Sequence, residues 1–206
     1  MGLFSPEGAL YRFVSRLWDV IVLNFMWLLF SLPIITIGAS TIAVHSVCLK
    51  MVDDEECYIA RSFMKAFKQN LKQGIILGLM TAAASYVVYL NFALFNAIDS
   101  NPLPLLIMGI IGTVVFLLSL LYAYPLIARY ENSIIRTLRN SFDISVRFFG
   151  RTIVLLLIIA LEVFIIFYNQ VFMTVGLVIG PVFIMFTISS FAKRIFHKIE
   201  KEQKEQ

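Results

Sequence analysis

Residues 20–49 read VIVLNFMWLLFSLPIITIGASTIAVHSVCL and contain no acidic or basic side chain apart from His45. Because a helix needs about 20 apolar residues to cross a bilayer, this stretch is too long for one crossing and too short for two full helices. Pro33 has no backbone N–H and interrupts a helix. The stretch therefore predicts one spanning helix that ends near Leu32, followed by a broken segment over Pro33–Ser40.

The rest of the chain is also apolar. Of its 206 residues, 60% are hydrophobic and 15% are charged, whereas about 25% of the residues of a soluble protein are charged. Four further apolar stretches cover residues 74–98, 102–128, 152–168 and 171–192, and the third contains one acidic residue, Glu162. We expect an all-α, polytopic helical membrane bundle with about five full transmembrane helices plus the broken segment, forming a single membrane domain over residues 1–206.

The 17 lysine and arginine residues are unevenly distributed, which predicts the orientation of the chain. Basic residues in short loops are retained on the cytoplasmic side of a membrane. The connections at 99–104 and 169–170 contain none, so we expect them outside, with the basic loops and a charged cytoplasmic tail at 193–206 inside. Arg12 and Arg16 place the N-terminus inside as well, which requires an even number of crossings. The net charge of +4 follows from these loops, and we expect no nucleic-acid partner.

Two interpretations of the segment after Leu32 remain open. In the first, an extended piece returns through the membrane and a short helix begins at Ser40, which caps it. Irregular backbone survives at membrane depth only when it is buried in protein or faces water, so this segment would lie inside the bundle. In the second, one long helix is kinked at Pro33 and leaves the N-terminus outside. The first interpretation gives six traverses and the second gives five.

Two loops have the pattern of amphipathic helices at the cytoplasmic surface, within residues 58–72 and 133–149. They align at an offset of 75 residues, which predicts an internal repeat of a span, a surface helix and a span; chance similarity is the alternative. The apolar rows are Ile59, Phe63, Phe67, Leu71 and Ile134, Leu138, Phe142, Val146. We expect membrane lipids or a partner protein to contact the basic residues between them, which are Arg61, Lys65, Lys68, Lys72, Arg136, Arg139 and Arg147.

Residues 27–52, WLLFSLPIITIGASTIAVHSVCLKMV, and residues 61–74, RSFMKAFKQNLKQG, resemble the YesL family of bacterial membrane proteins. The likeness rests on the SLPIxTIGAS and F-x-x-x-F-x-x-N motifs and extends over nearly the full length. The resemblance implies a cell-membrane protein of Gram-positive bacteria, often associated with carbohydrate-uptake genes, and it brings no catalytic residue. Permease components of a carbohydrate uptake system are therefore the partners that it suggests.

The broken segment is the first candidate for an intramembrane polar site. Pro33 cannot donate a hydrogen bond and Gly38 relaxes the chain, so backbone groups are freed close to several hydroxyl groups. Freed backbone groups of this kind coordinate substrates or ions in transporters. The alternative is a turn in which the hydroxyl groups satisfy the neighbouring backbone and Ser40 caps the next helix. The candidate residues are Ser31, Thr36, Gly38, Ser40, Thr41, His45 and Glu162.

Glu162 is included because it lies about 16 Å along a helix from Arg151, close to the middle of the membrane. An acidic group at that depth must be protonated, paired or turned towards the bundle interior. His45 is the complementary titratable group in a span, and a contact between Glu162 and His45 would suit a proton-coupled role. The alternative is a protonated Glu162 that bonds Asn24 or Asn91 and holds helices together.

No sequence motif indicates an enzyme. Phosphate-binding loops, zinc-binding spacings, nucleophile motifs and paired carboxylates within one span are absent, so we expect no catalytic residue, no cofactor and no metal site. The leading hypothesis is an accessory subunit or partner in solute uptake, of carbohydrate in view of the resemblance, that acts through cytoplasmic surface helices. The alternative is a small stand-alone transporter with a path through the broken segment and Glu162.

Overall fold

The computed structural model describes residues 9–53, 58–98 and 102–204, and the regular elements in these ranges are all helical. In chain order they are α1 (Ala9–Ser31), a 3₁₀ turn (Ile34–Thr36), α2 (Ile37–Val52), α3 (Ile59–Ala97), α4 (Leu103–Leu121), α5 (Ala123–Arg129), α6 (Ile134–Arg147), α7 (Phe149–Phe167) and α8 (Gln170–Lys204). Within the described ranges, six segments are long and apolar enough to cross a membrane: α1, the 3₁₀ turn with α2, α3, α4 with α5, α7 and α8. The predicted all-α polytopic bundle is confirmed.

The return after Pro33 is helical, and the break lies at the surface. A 3₁₀ turn replaces the predicted extended piece, and α2 begins at Ile37 without a side-chain cap, so the expected helix start and cap at Ser40 are wrong. Leu32 and Ile34 are 75% and 83% exposed. The expectation that the break is buried inside the bundle is therefore wrong, and it is the returning helix that is buried.

α1 and α2 form an antiparallel pair, so the alternative of one long helix kinked at Pro33 is also wrong. Ser31 contacts Ser40 near the turn, whereas Val20 and Met51 line one groove at the opposite end of the pair. α1 has 23 residues and is about 34 Å long, which exceeds the hydrocarbon core of about 30 Å. The turn between the two helices packs against α3.

α2 is the central helix of the described bundle. Eleven of its 16 residues are buried, compared with one of the 19 residues of α4. It contacts α1, α3, α5 and α8. A helix that is apolar on most sides is usually surrounded by other helices in this way. The outer helices of the bundle, by contrast, expose large apolar side chains.

The backbones of α2 and α3 touch at three glycines. A Cβ atom at Gly38 would lie 2.1 Å from the carbonyl oxygen of Gly74 and 2.9 Å from the Cα of Gly78. A Cβ atom at Gly74 would lie 2.3 Å from the Cα of Ala39. Gly74 and Gly78 have the G-x-x-x-G spacing that lets membrane helices approach closely. Gly38 thus permits a helix contact, contrary to the expectation that it relaxes the chain at the break.

The first predicted surface helix, residues 58–72, is not a separate element. It is the beginning of α3, a single helix of 39 residues. The second corresponds to α6, which is separated from α7 because the backbone leaves the helical conformation at Phe148, with φ −109° and ψ 41°. The internal repeat stays a prediction.

α6 buries its predicted apolar row only in part, since Ile134 and Leu138 pack against a buried cluster. Its buried residues are Thr137, Ser141, Ile144 and Ser145, whereas Val146 of the predicted apolar row is 52% exposed. The physical reason is that small hydroxyl side chains let α6 approach the end of α4 and hydrogen-bond to its backbone.

The predicted charged tail is the last part of a helix. α8 continues without interruption to Lys204, and Ala192, Ile195 and Phe196 are buried in a cluster with Tyr122 of the α4–α5 junction. This packing extends the helix beyond its apolar section. Residues 205–206 of the predicted tail and residues 99–101 of the predicted outer connection lie outside the described ranges.

Replacing Gly38 or Gly74 by alanine is expected to lower the free energy of unfolding by about 1–3 kcal/mol, because the added methyl group overpacks a backbone contact. Gly112→Ala is the matched control: a Cβ atom there meets no atom within 4 Å, and alanine favours a helix more than glycine does. Reversible unfolding in mixed detergent micelles measures each variant. Equal stability of the Gly38→Ala and Gly112→Ala proteins would contradict the close contact.

Candidate functional site

The hydroxyl groups of the predicted intramembrane site close the turn between α1 and α2. Ser31 and Ser40 share a hydrogen bond of 2.6 Å. Thr36 donates to the carbonyl oxygens of Phe30 and Pro33, at 2.6 and 2.7 Å. The carbonyl groups at the end of α1, which lack partners within the helix, are thus partly satisfied by the turn itself.

Thr41 connects the first turn of α2 to α1. It accepts a hydrogen bond of 3.2 Å from the Trp27 indole. Thr41 and Ser40 also donate to the carbonyl oxygen of Ile37, at 2.8 and 2.9 Å. This arrangement corresponds to the alternative interpretation, in which the hydroxyl groups satisfy the neighbouring backbone.

His45 lies further along α2, at the centre of the bundle. It is 3% exposed, and its Nδ1 shares a hydrogen bond of 2.8 Å with Ser189 of α8. Its ring stacks on Tyr124 of α5 with 6.3 Å between centroids, and the Tyr124 hydroxyl bonds Thr81 of α3 at 3.1 Å. Two hydrogen bonds and one ring contact therefore link α8, α2, α5 and α3.

Glu162 contacts α8 rather than His45. Thr187 donates to its Oε1 at 2.7 Å. Thr187 and Ser189 are two positions apart, about 200° around the axis of α8, so Glu162 and His45 bind different sides of that helix. The predicted contact between Glu162 and His45 is wrong, and so is the alternative bond to an asparagine. The structure thus divides the candidate site into the turn, His45 and Glu162.

α1 and α8 are joined by a contact that was not predicted from the sequence. Pro181 lies inside α8, and it offers no N–H to the carbonyl group of Leu177, four residues earlier. The buried Asn24 amide donates to this carbonyl oxygen at 3.1 Å. Asn24 therefore supplies the hydrogen bond that Pro181 removes. The signal in the sequence is a proline in one apolar span and an asparagine in another.

A second contact of this kind explains the bend between α4 and α5. The backbone N–H of Tyr122 donates to Ser141 Oγ at 3.1 Å. The hydroxyl groups of Ser141 and Ser145 donate to the Leu118 carbonyl oxygen at 3.3 and 2.9 Å, which the Tyr122 N–H would bond in an unbroken helix. Two serines of α6 thus replace the backbone hydrogen bond that would join α4 to α5, and the chain bends at this point.

Charged side chains gather at one end of the bundle, which we call the basic end. Lys193 of α8 is 7% exposed, forms an ion pair with Asp53 and lies 3.5 Å from the Leu49 carbonyl oxygen at the end of α2. A cation is favourable at the C-terminal end of a helix. The basic end comprises residues 14–16, 49–53, 58–72, 129–151 and 193–204.

A crevice of about 400 Å³ separates α5, α6 and the end of α8 at the basic end. Arg129 lies 2.9 Å from the Glu200 carboxylate, which also accepts a hydrogen bond from Tyr130. Burial, followed by this hydrogen bond, raises the pKa of Tyr130 to about 12. The phenol keeps its proton at neutral pH and donates a hydrogen bond to Glu200. The crevice is also lined by Asn132, Asn140, Asp143 and Arg147.

The predicted surface for lipid or a partner consists of exposed basic side chains on two helices. On α3 they recur every three or four positions, so they lie along one side, away from the buried Phe63 and Ala66. On α6, Arg147 pairs with Glu202 of α8 at 2.7 Å. The row on α3, which we call the basic ridge, is Arg61, Lys65, Lys68 and Lys72; the row on α6 is Arg136, Arg139 and Arg147.

Six apolar helices, with polar side chains joining them and charges gathered at the basic end, define a multi-pass helical membrane protein. The family described as "Protein of unknown function, DUF624" matches residues 20–92. This family includes YesL, and the match covers about a third of the chain, including α2 and the contact between Gly38 and Gly74. No curated protein and no solved structure matches the chain.

Asn24→Leu is expected to lower the free energy of unfolding by about 1 kcal/mol, because the Leu177 carbonyl oxygen then lacks a donor. In a Pro181→Ala background the helix supplies its own N–H, so the same substitution should cost less. A double-mutant cycle on unfolding in mixed detergent micelles measures this coupling. Strictly additive effects of the two substitutions would show that Asn24 does not compensate for Pro181.

Proposed function

We propose that this protein is an accessory membrane subunit that binds a partner protein through the basic ridge. The observation that carries the proposal is the length of α3. Its 39 residues extend about 58 Å, nearly twice the hydrocarbon core of about 30 Å. Because the charged residues of α3 all lie in its first part, that part extends beyond the hydrocarbon and presents a line of positive charge.

The other side of the same segment supports a docking role, because the bundle already covers it. Phe63 is fully buried, and Phe67 packs against Phe30 of α1 with 5.0 Å between ring centroids. The segment is thus held in place through its apolar side while its basic side is exposed. A fixed row of like charges is suited to a complementary acidic surface on another protein.

We place the basic end on the cytoplasmic side of a bacterial cell membrane. Arg16, near the start of the chain, and Arg194, near its end, line one groove. The described beginning of α1 and end of α8 therefore both lie at the basic end, as an even number of crossings would require. Lysine and arginine are retained in the cytoplasm, which supports a cytoplasmic location for both termini.

The partner that we propose is a permease component of a carbohydrate uptake system. Support comes from the resemblance to the YesL family, which implies an association with carbohydrate uptake. The basic ridge adds a requirement of its own, namely that the partner present acidic side chains close to the membrane surface.

Affinity purification of the tagged full-length protein from gently solubilised native membranes is expected to recover a permease subunit at a constant ratio. Lys68→Gln with Lys72→Gln should reduce this recovery on the order of tenfold, because two charge contacts are lost. Quantitative mass spectrometry of the eluted proteins measures the ratio.

The matched control is Arg136→Gln with Arg139→Gln, which removes the same charge from exposed positions on α6. Recovery with the control variant should equal that of the wild-type protein. If both variants lose the partner equally, or neither does, the basic ridge is not the docking surface.

A small stand-alone transporter is the second candidate, and two buried polar atoms favour it. Glu162 Oε2 and Asn24 Oδ1 have no hydrogen-bond partner among the described residues. Buried polar atoms are usually satisfied, and a solute or proton that passes between the helices would supply the missing contact.

If the protein transports protons, the wild-type chain reconstituted alone in liposomes should carry a proton flux, which a trapped pH-sensitive dye reports. Glu162→Gln should abolish that flux because an amide does not titrate. Glu131→Gln, at an exposed position outside the spans, is the control and should leave the flux unchanged. Absence of flux from the wild-type protein would argue against this second candidate.

A further inference from the structure

A groove with basic residues at one end separates α1 from α8. It has a volume of about 430 Å³, and its floor contains Val20 and Met51, which are 6% and 3% exposed. Arg16 and Arg194 line it at the basic end. At its other end it is lined by Phe183, which is 46% exposed. The groove is therefore apolar along most of its length and cationic at one end.

The length of the groove matches one leaflet of a bilayer. Phe183 and Arg194 are eleven positions apart on α8, which corresponds to about 16 Å along a helix. Half of the hydrocarbon core is about 15 Å thick. A groove of this length that begins at the headgroups would reach the middle of the membrane.

The charges at the mouth favour an anion. Arg16 interacts electrostatically with Asp19, one turn further along α1. Arg194 is exposed, and the neighbouring Lys193 already neutralises Asp53. Among the described residues that line the groove, two are arginines and none is acidic, and a guanidinium group binds phosphate oxygens in a bidentate manner.

We propose that this groove binds one anionic phospholipid from the leaflet at the basic end. The phosphate group lies between Arg16 and Arg194, and one acyl chain lies along Leu17, Val20 and Phe183. Basic pockets between membrane helices bind anionic headgroups in this manner. A phosphate ion without a chain would leave the apolar section uncovered, and a polar peptide would not enter the hydrocarbon.

The bound lipid would bridge the first and last helices of the chain. It would also stabilise the folded protein, because the groove exists only when α1, α2 and α8 are assembled. The proposal is independent of the partner proposed above, since the basic ridge lies on α3.

Native mass spectrometry of the delipidated full-length protein in detergent tests the proposal. Dioleoylphosphatidylglycerol and dioleoylphosphatidylcholine have the same chains and differ in headgroup charge. We expect the wild-type protein to prefer the first lipid on the order of tenfold. Arg16→Gln with Arg194→Gln should abolish that preference, whereas Arg151→Gln with Lys204→Gln, at exposed positions outside the groove and outside the predicted lipid surface, should retain it.

Leu17→Trp tests the acyl-chain section, because the larger side chain fills the groove and leaves both arginines in place. It should reduce binding of both lipids. Inorganic phosphate at millimolar concentration should displace little lipid. If it displaces as much lipid as added lipid does, the site binds an anion and not a phospholipid. Size-exclusion chromatography and circular dichroism establish that each variant is folded. If the variant with both Arg16→Gln and Arg194→Gln is not folded, Arg194→Gln alone is used in its place.

Three results would overturn the proposal. The first is equal retention of the two lipids by the wild-type protein. The second is an equal loss of preference in the groove variant and in the variant with Arg151→Gln and Lys204→Gln, which would indicate general charge attraction. The third is undiminished binding of both lipids by Leu17→Trp, which would show that no chain occupies the groove.

Discussion

With no side chain at Gly38, Gly74 or Gly78, the backbones of α2 and α3 come into direct contact. Apolar side chains have little preference for each other over lipid tails, so close packing of backbones is one of the main forces that hold membrane helices together. This contact places α2 at the centre, where it also meets α1, α5 and α8. The positions of His45 and of the groove between α1 and α8 depend on that placement.

A second constraint is that hydrocarbon offers no water to an interrupted helix. The protein meets it by supplying polar side chains from neighbouring helices: Asn24 bonds the carbonyl group freed by Pro181, and Ser141 bonds the backbone at Tyr122. The turn between α1 and α2 uses Thr36 and a pair of serines in the same way. Many of the polar groups inside the membrane therefore have a structural use.

The distribution of charge distinguishes the membrane spans, whose polar groups hold the helices together, from the basic end, to which we assign function. Inside the described spans, polar groups such as His45 and Glu162 are bonded to α8. At the basic end, by contrast, exposed lysines and arginines line α3 and α6, and a crevice and a groove open between helices. The partner protein and the lipid that we propose therefore both bind at the basic end.

The apolar stretches, the clusters of charge and the break near Pro33 could all be predicted from the chain alone, whereas the choice between five and six traverses could not. Each of the predicted features depends on properties of neighbouring residues, such as the length of an apolar stretch, the placement of arginine and lysine, or a proline among hydroxyl groups. The identity of the central helix, the separation of His45 from Glu162 and the pairing of Asn24 with Leu177 emerged only from the packing. An apolar side that faces lipid has the same composition as one that faces another helix, so hydrophobicity alone does not tell which helices are neighbours.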